Sequence, residues 1–141
     1  MAQLLPSNEV ERCLRGCLKA EGYDLSQPRN NGETGVDIIA HKKRETHFIE
    51  VIGFRQHPPV RSRDFYEVFF RAVSRIKDGA ASIAIALPER FGNGLSRRAS
   101  HYGKAWRRIG NAFPELQIWL VNCNAPPSYK RTSWNCWLNR Q

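Results

Sequence analysis

The chain has no apolar run approaching the roughly 18 residues that a membrane-spanning helix needs. Its opening, MAQLLPSNEV, has neither the basic start nor the apolar core of a secretory signal. These absences lead to the expectation of a soluble, cytoplasmic protein with no membrane partner, nucleoid-associated if the host is bacterial or archaeal. Cysteine is sparse: Cys13, Cys17, Cys123 and Cys136 form no CxxC pair and no recognised zinc spacing, so reduced thiols are expected. Internal repeats and low-complexity tracts are lacking too. Acidic residues are in short supply, 13 against 22 lysines and arginines, which leaves a formal charge of +9 and a pI near 9.9. Such a balance implies an anionic partner, and charge alone does not choose between DNA, RNA and an acidic membrane surface. A length of 141 residues suits one domain with a single hydrophobic core, and the whole chain is read as one.

What is present alternates between two periods. Val10, Cys13, Leu14, Cys17 and Leu18 recur at helical spacing, predicting a helix over about 8–21 with Ser7 as its cap and Gly22 as its stop. Tyr23 to Ser26 suggests a short strand, and the polar stretch 27–34 a loop. Gly35 to His41 (GVDIIAH) and Thr46 to Gly53 (THFIEVIG) are β-branched, apolar segments around the charged turn Lys42 to Glu45, the pattern of a hairpin. A second amphipathic helix spans about 60–77, ended by Asp78-Gly79. Ser82 to Leu87 (SIAIAL) is short and wholly apolar, as in a strand buried on both faces. A third helix is expected over about 95–112, then a buried strand LQIWLV at Leu116 to Val121, with 122–141 as an irregular basic tail. This order predicts an α/β fold, a mixed central sheet flanked by helices.

The hairpin brings two acids together. A turn centred on Lys43-Arg44 places Asp37 directly opposite Glu50, and opposed residues share a face with Cβ atoms about 4.5 to 5.5 Å apart. Two carboxylates at about 5 Å repel by roughly 3 kcal/mol at an effective dielectric of 20. A shared proton or a basic neighbour would relieve this, and so would a hard divalent cation, since Mg²⁺ is typically held by one or two carboxylates plus phosphate. A register slip of one residue would separate the pair onto opposite faces.

The strings GVDIIA and IEVIG resemble the GxDIIA…xEVKG core of the PD-(D/E)xK, or restriction-endonuclease-like, nucleases. ERCLRGCLKAEGY (Glu11 to Tyr23) is similar to the opening helix of archaeal Holliday-junction resolvases and related restriction nucleases, and the likeness extends over residues 9 to about 121. The resemblance implies an αβββαβ core with an extra C-terminal helix and strand. It further implies Asp37 and Glu50 as metal ligands, Glu11 as a third acidic group, and Mg²⁺ or Mn²⁺ as cofactor for hydrolysis of DNA, duplex or branched, by a homodimer or a larger DNA-processing complex. The metal polarises the scissile phosphate and activates water.

One departure divides this reading. The position two after Glu50, where relatives carry a catalytic lysine, is Ile52. Arg55, first, and then Lys43 and Arg71 are the candidate replacements, with arginine able to stabilise charge but unsuited as a base. The expected function is a metal-dependent endonuclease, with a DNA-binding member that no longer cuts as the alternative. Further candidate phosphate contacts are Arg71, Arg75, Arg97, His101, Lys104, Arg108, Lys130 and Arg131. Plainer readings stand beside these: Glu11 as a solvated helix residue, Arg71 and Arg75 as ion-pair partners of Glu67, and Trp134 and Trp137 as core rather than as platforms for bases.

Overall fold

Residues 5–29 and 35–139 are described in the computed structural model of the chain; the loop positions 30–34 and the extreme termini lie outside them. The elements follow in the order α1 (Ser7–Ala20), β1 (Asp24–Leu25), β2 (Ile38–Lys42), β3 (Glu45–Val51), α2 (Pro58–Ser74), β4 (Ile83–Pro88), α3 (Gly92–Tyr102), α4 (Lys104–Ala112), β5 (Leu116–Asn122) and β6 (Ser128–Ser133). All six strands join one mixed sheet in sequential order. The β3–β4 and β4–β5 pairs are parallel, and the others antiparallel.

Both parallel pairs are joined by helical crossovers. Two crossovers stepping the same way across a sheet, with the same right-handed sense, must leave their helices on one face. Accordingly α2, α3 and α4 share one layer, with Phe65, Val68, Leu95 and Trp106 packed on Ile83, Ile85 and Leu87. The opposite layer is α1, whose Val10, Leu14 and Leu18 pack against Ile38, Ile49, Ala84 and Ala86. The SIAIAL segment thus carries isoleucine and leucine toward three helices and alanine toward one. Small residues on the second face let α1 lie close, which explains why every residue of β4 is buried.

Several details depart from the expectations. The first helix starts at Ser7 itself, with Pro6 at the cap position and its carbonyl accepting from the Glu9 and Val10 amides; no side chain caps it. The expected third helix is two, because Gly103 adopts φ 48°, ψ −108°, which only glycine takes readily, and the chain turns there. The segment beyond 122 is not irregular: β6 closes the sheet edge against β5, and a 3-10 turn follows at Asn135–Asn139. Nor are all four cysteines reduced, since Cys13 on α1 is disulfide-bonded to Cys123 just past β5, with Cα atoms 5.7 Å apart. A sequence separation of 110 residues leaves no spacing signal for that pair. No described helix is long and apolar enough to cross a membrane.

Trp134 and Trp137 are core residues. Trp134 stacks on Trp106 with ring centroids 3.9 Å apart. Each indole N–H donates to the other residue's carbonyl, at 2.9 and 2.8 Å, so neither ring is buried at the expense of an unpaired donor. Trp134→Ala is expected to lower the unfolding free energy by about 3 to 5 kcal/mol, read from urea denaturation followed by circular dichroism. A shift below about 1 kcal/mol would contradict a core role.

Candidate functional site

The β2–β3 ladder pairs Ile38 with Ile49, Ile39 with Phe48 and Ala40 with His47. One step further on the same register are Asp37 and Glu50. Ile38 and Ile49 point into the α1 layer while Phe48 packs with the α2 layer, so alternation sends Asp37 and Glu50 toward α2. Both acids are buried.

Their environments differ. Asp37 is fully engaged: its Oδ2 accepts the Val51 amide at 2.8 Å, which ties the start of β2 to the end of β3, and its Oδ1 pairs with Arg29. Glu50 is only 1 % exposed, and neither of its carboxylate oxygens has a hydrogen-bond partner. Two guanidinium nitrogens stand near it, Arg71 Nε at 3.6 Å from Oε1 and Arg75 Nε at 3.5 Å from Oε2. At that range they attract the charge without satisfying the lone pairs. Burial, with the Asp37 charge adding to it, pushes the Glu50 carboxyl up to about 7, and Arg71, Arg75 and Arg29 pull the other way.

Arg29 comes from the polar stretch after β1 and faces three acids. Asp37, Glu50 and Glu11 all act to hold its guanidinium charged, the hydrogen bond it donates to Asp37 being the largest influence. Glu11 accepts from Arg15 Nε at 2.8 Å, and Arg15 also donates to the carbonyls of Ser26, at 2.6 Å, and Asp37, at 3.0 Å. Arg15 therefore clamps α1 to the strand that delivers Asp37. Glu11 is linked to the acid pair through these arginines rather than by adding a third facing carboxylate.

The other candidates separate into groups. Arg71 on α2 and Arg75 in the 3-10 turn Arg75–Asp78 that follows it pair with Glu50 rather than with Glu67, and Arg75 also bonds Asp78 at 2.9 Å. Arg55 pairs with Asp64 at 3.2 Å and does not reach Glu50; it shares with Arg71 the rim of a cavity of about 440 Å³ lined by Val51, Ile52 and Gly53. Lys43 sits in the hairpin turn with φ 54°. Six residues along a strand from Asp37, it is about 20 Å from the acids. Ile52 is buried in the α2-side core, so no cation can stand at its position. Arg97 and His101 line a groove between α2 and α3, whereas Lys104 and Arg108 follow the break at Gly103 and do not. Lys130 is exposed on β6. Arg131 packs over Trp119 at 4.5 Å and donates to Tyr23 Oη at 2.9 Å, a role in the sheet's edge.

No family model, curated protein or solved structure matches the chain. The chemistry has to be judged from the donor set. Among the described residues no group of three or more His, Cys, Asp or Glu side chains could hold a metal ion. Two carboxylates suffice for a hard cation that draws its remaining ligands from water and phosphate. The unbonded Glu50 oxygens fit that use; the engagement of Asp37 Oδ1 by Arg29 opposes it until Arg29 moves. Arg29 and Arg15 were not singled out from sequence, since neither carries a motif and each reaches the site only through folding.

The raised Glu50 carboxyl has a stability consequence. In metal-free buffer the unfolded chain loses this proton near the ordinary value of 4.5 and the folded chain near 7. Between those values the native state holds the extra proton, so stability falls as pH rises through the window. Glu50→Gln is expected to match the parent near pH 4 and to exceed it at pH 8 by up to about 3 kcal/mol. Equal urea midpoints at pH 8 would contradict a buried, poorly compensated carboxylate.

Proposed function

We propose that this chain is a divalent-metal-dependent DNA nuclease of restriction-endonuclease-like fold, with Asp37 and Glu50 holding the cation. The observation carrying this reading is the Glu50 carboxylate, buried with both oxygens unbonded beside a second carboxylate. Leaving a charged group so exposed to its own desolvation penalty costs stability, and a cation that ligates those oxygens removes the cost. When bound, the metal would polarise a phosphodiester and lower the pKa of the attacking water.

The chain's own residues account for the rest. Asp37 and Glu50 orient the ligand oxygens through the hairpin register. Arg71 lies both at Glu50 and on the rim of the adjoining cavity, where it can neutralise charge developing on phosphate. It stands in for the cation that Ile52 cannot supply, contributing charge but no proton transfer at neutral pH.

A second reading has its own support. With Arg29 on Asp37, Arg71 near Glu50 and Arg75 shared between Glu50 and Asp78, guanidiniums already offset the charge of the two carboxylates. On that reading the chain binds DNA without cutting it, and the arginines have replaced the metal.

The two readings part in one assay, in which plasmid, single-stranded and branched DNA are incubated with Mg²⁺ or Mn²⁺. The nuclease reading expects cleavage that Asp37→Asn and Glu50→Gln each reduce at least about 100-fold, and that Arg71→Ala reduces by about 10- to 100-fold, on the scale of removing one preorganised charge contact. Cleavage that survives Asp37→Asn would remove the site assignment. Absence of cleavage, together with a melting temperature indifferent to Mg²⁺, would establish the arginine-neutralised form.

A further inference from the structure

A second feature lies outside the acid pair. Between the N-terminal half of α2 and α3 runs a groove of about 800 Å³ whose walls include Arg61, Arg90, Arg97, Arg98 and His101, with no Asp or Glu among the described lining residues. Arg71 and Arg75 stand at the Glu50 carboxylate, whereas the groove gathers its cations where no described carboxylate lines the wall.

Several of these cations are held in place. Arg61 and Arg90 both stack on Phe54, their guanidinium carbons 4.4 and 4.2 Å from its centroid. Arg98 donates to Ser62 Oγ at 2.8 Å and lies over Phe65 at 5.5 Å. Such packing fixes guanidinium planes before a ligand arrives, which reduces the ordering cost of binding. A row of fixed positive groups matches a chain of phosphates rather than a single acidic side chain.

Exposed aromatic rings border the same groove. Tyr66 and Tyr102 line it, are 45 % and 43 % exposed, and share a hydroxyl-to-hydroxyl bond of 2.9 Å. One turn beyond Tyr66 on α2, Phe70 is 70 % exposed. All three rings lie outside the buried core. A duplex keeps its bases stacked on each other and would use only the charges, whereas an unpaired strand offers base faces that stack on such rings. Phe54 is a wall shared by this groove and the 440 Å³ cavity beside the acid pair, so a strand lying here leads toward that site.

We infer that the α2–α3 groove binds an unpaired nucleic-acid strand, with phosphates on the arginines and bases on Tyr66, Tyr102 and Phe70. The inference rests on the nucleic-acid part of the proposed function and not on its metal chemistry. Fluorescence anisotropy in EDTA, with a fluorescein-labelled 15-nucleotide mixed-sequence DNA, its RNA equivalent and the corresponding DNA duplex, tests it. The unpaired strand is expected to bind at least about tenfold more tightly than the duplex; the DNA and RNA arms identify the sugar, and tight binding of either supports the groove.

Tyr66→Ala and Tyr102→Ala are each expected to weaken the unpaired strand about 5- to 100-fold, leaving the duplex unchanged. Arg97→Ala is expected to weaken both forms and to flatten the salt dependence by about one counterion. Arg108→Ala, outside the groove, is expected to change binding less than twofold. Because these four side chains are exposed, the fold is expected to tolerate their loss, and the urea midpoint of each variant checks this. Duplex binding equal to or tighter than the unpaired strand would overturn the inference, as would tyrosine variants without effect, an Arg108→Ala loss equal to that of Arg97→Ala, or retention only by phosphatidylserine vesicles. Glu50→Gln separates the two proposals. If it abolishes cleavage but binds the strand as the parent does, both stand; a failure of cleavage alone leaves the groove intact, and a failure of strand preference alone leaves the nuclease reading intact.

Discussion

Everything at the site follows from one pairing register. The turn at Lys43-Arg44 makes Ile38 meet Ile49, and the continuation of that ladder makes Asp37 meet Glu50 on the face covered by α2. A slip of either strand by one residue would send its acid into the α1 layer, away from the other, and turn its isoleucine, Ile38 or Ile49, toward the arginines. The hydrophobic alternation therefore protects the acid pair, because losing the register would also lose the core. The Val51 amide bonding to Asp37 extends this control past the last ladder pair.

Once the acids are placed, electrostatics constrains the elements around them. Glu50 lies in low-dielectric surroundings with like charge beside it, and no backbone amide reaches its oxygens. Compensation must come from side chains: Arg71 from α2, Arg75 from the 3-10 turn after it, and Arg29 from the stretch after β1. Guanidiniums suit this task because they stay charged when partly buried and reach across a layer. Lysine would be more readily neutralised there. The cost is that the cations are numerous enough to mimic a metal's charge, and the same geometry suits both a loaded catalytic site and an empty, neutralised one.

The legible part of this arrangement was the local part. The α1 periodicity, the hairpin, the buried SIAIAL and LQIWLV strands and the facing of Asp37 with Glu50 all follow from patterns within a few residues of each other. What escaped depends on contacts distant in sequence. Arg29 and Arg15 carry no periodic signature. The partners of Trp134 and Cys13 are 28 and 110 residues away. Strand β6, with its sequence SYKRTS, has one buried residue in six and too little apolar alternation to stand out from a tail. The single helix expected over about 95–112 hid the turn at Gly103, and the separation of Arg97 and His101 in the groove from Lys104 and Arg108 outside it needed the backbone.

Ile52 has a structural role of its own at the end of β3. Its side chain belongs to the same cluster as Phe65 and Phe91, and Phe54 packs against that cluster. Phe54 in turn is the ring on which Arg61 and Arg90 rest. A lysine at position 52 would either bury an ammonium among these aromatics, at a cost of several kcal/mol, or force the strand end to turn outward. Just beyond it, Gly53 passes so close to Leu5 and Ser7 that a Cβ would collide with their backbone, leaving little room for such a turn. The apolar strand end thus supports the aromatic floor of the basic groove, on which α2 also packs. Helix α2 serves three surfaces at once, the core through Phe65 and Val68, the acids through Arg71, and the groove through Arg61 and Tyr66. Arg61 and Tyr66 on its N-terminal half and Arg71 on its C-terminal half thus place the groove and the partner of Glu50 on one element.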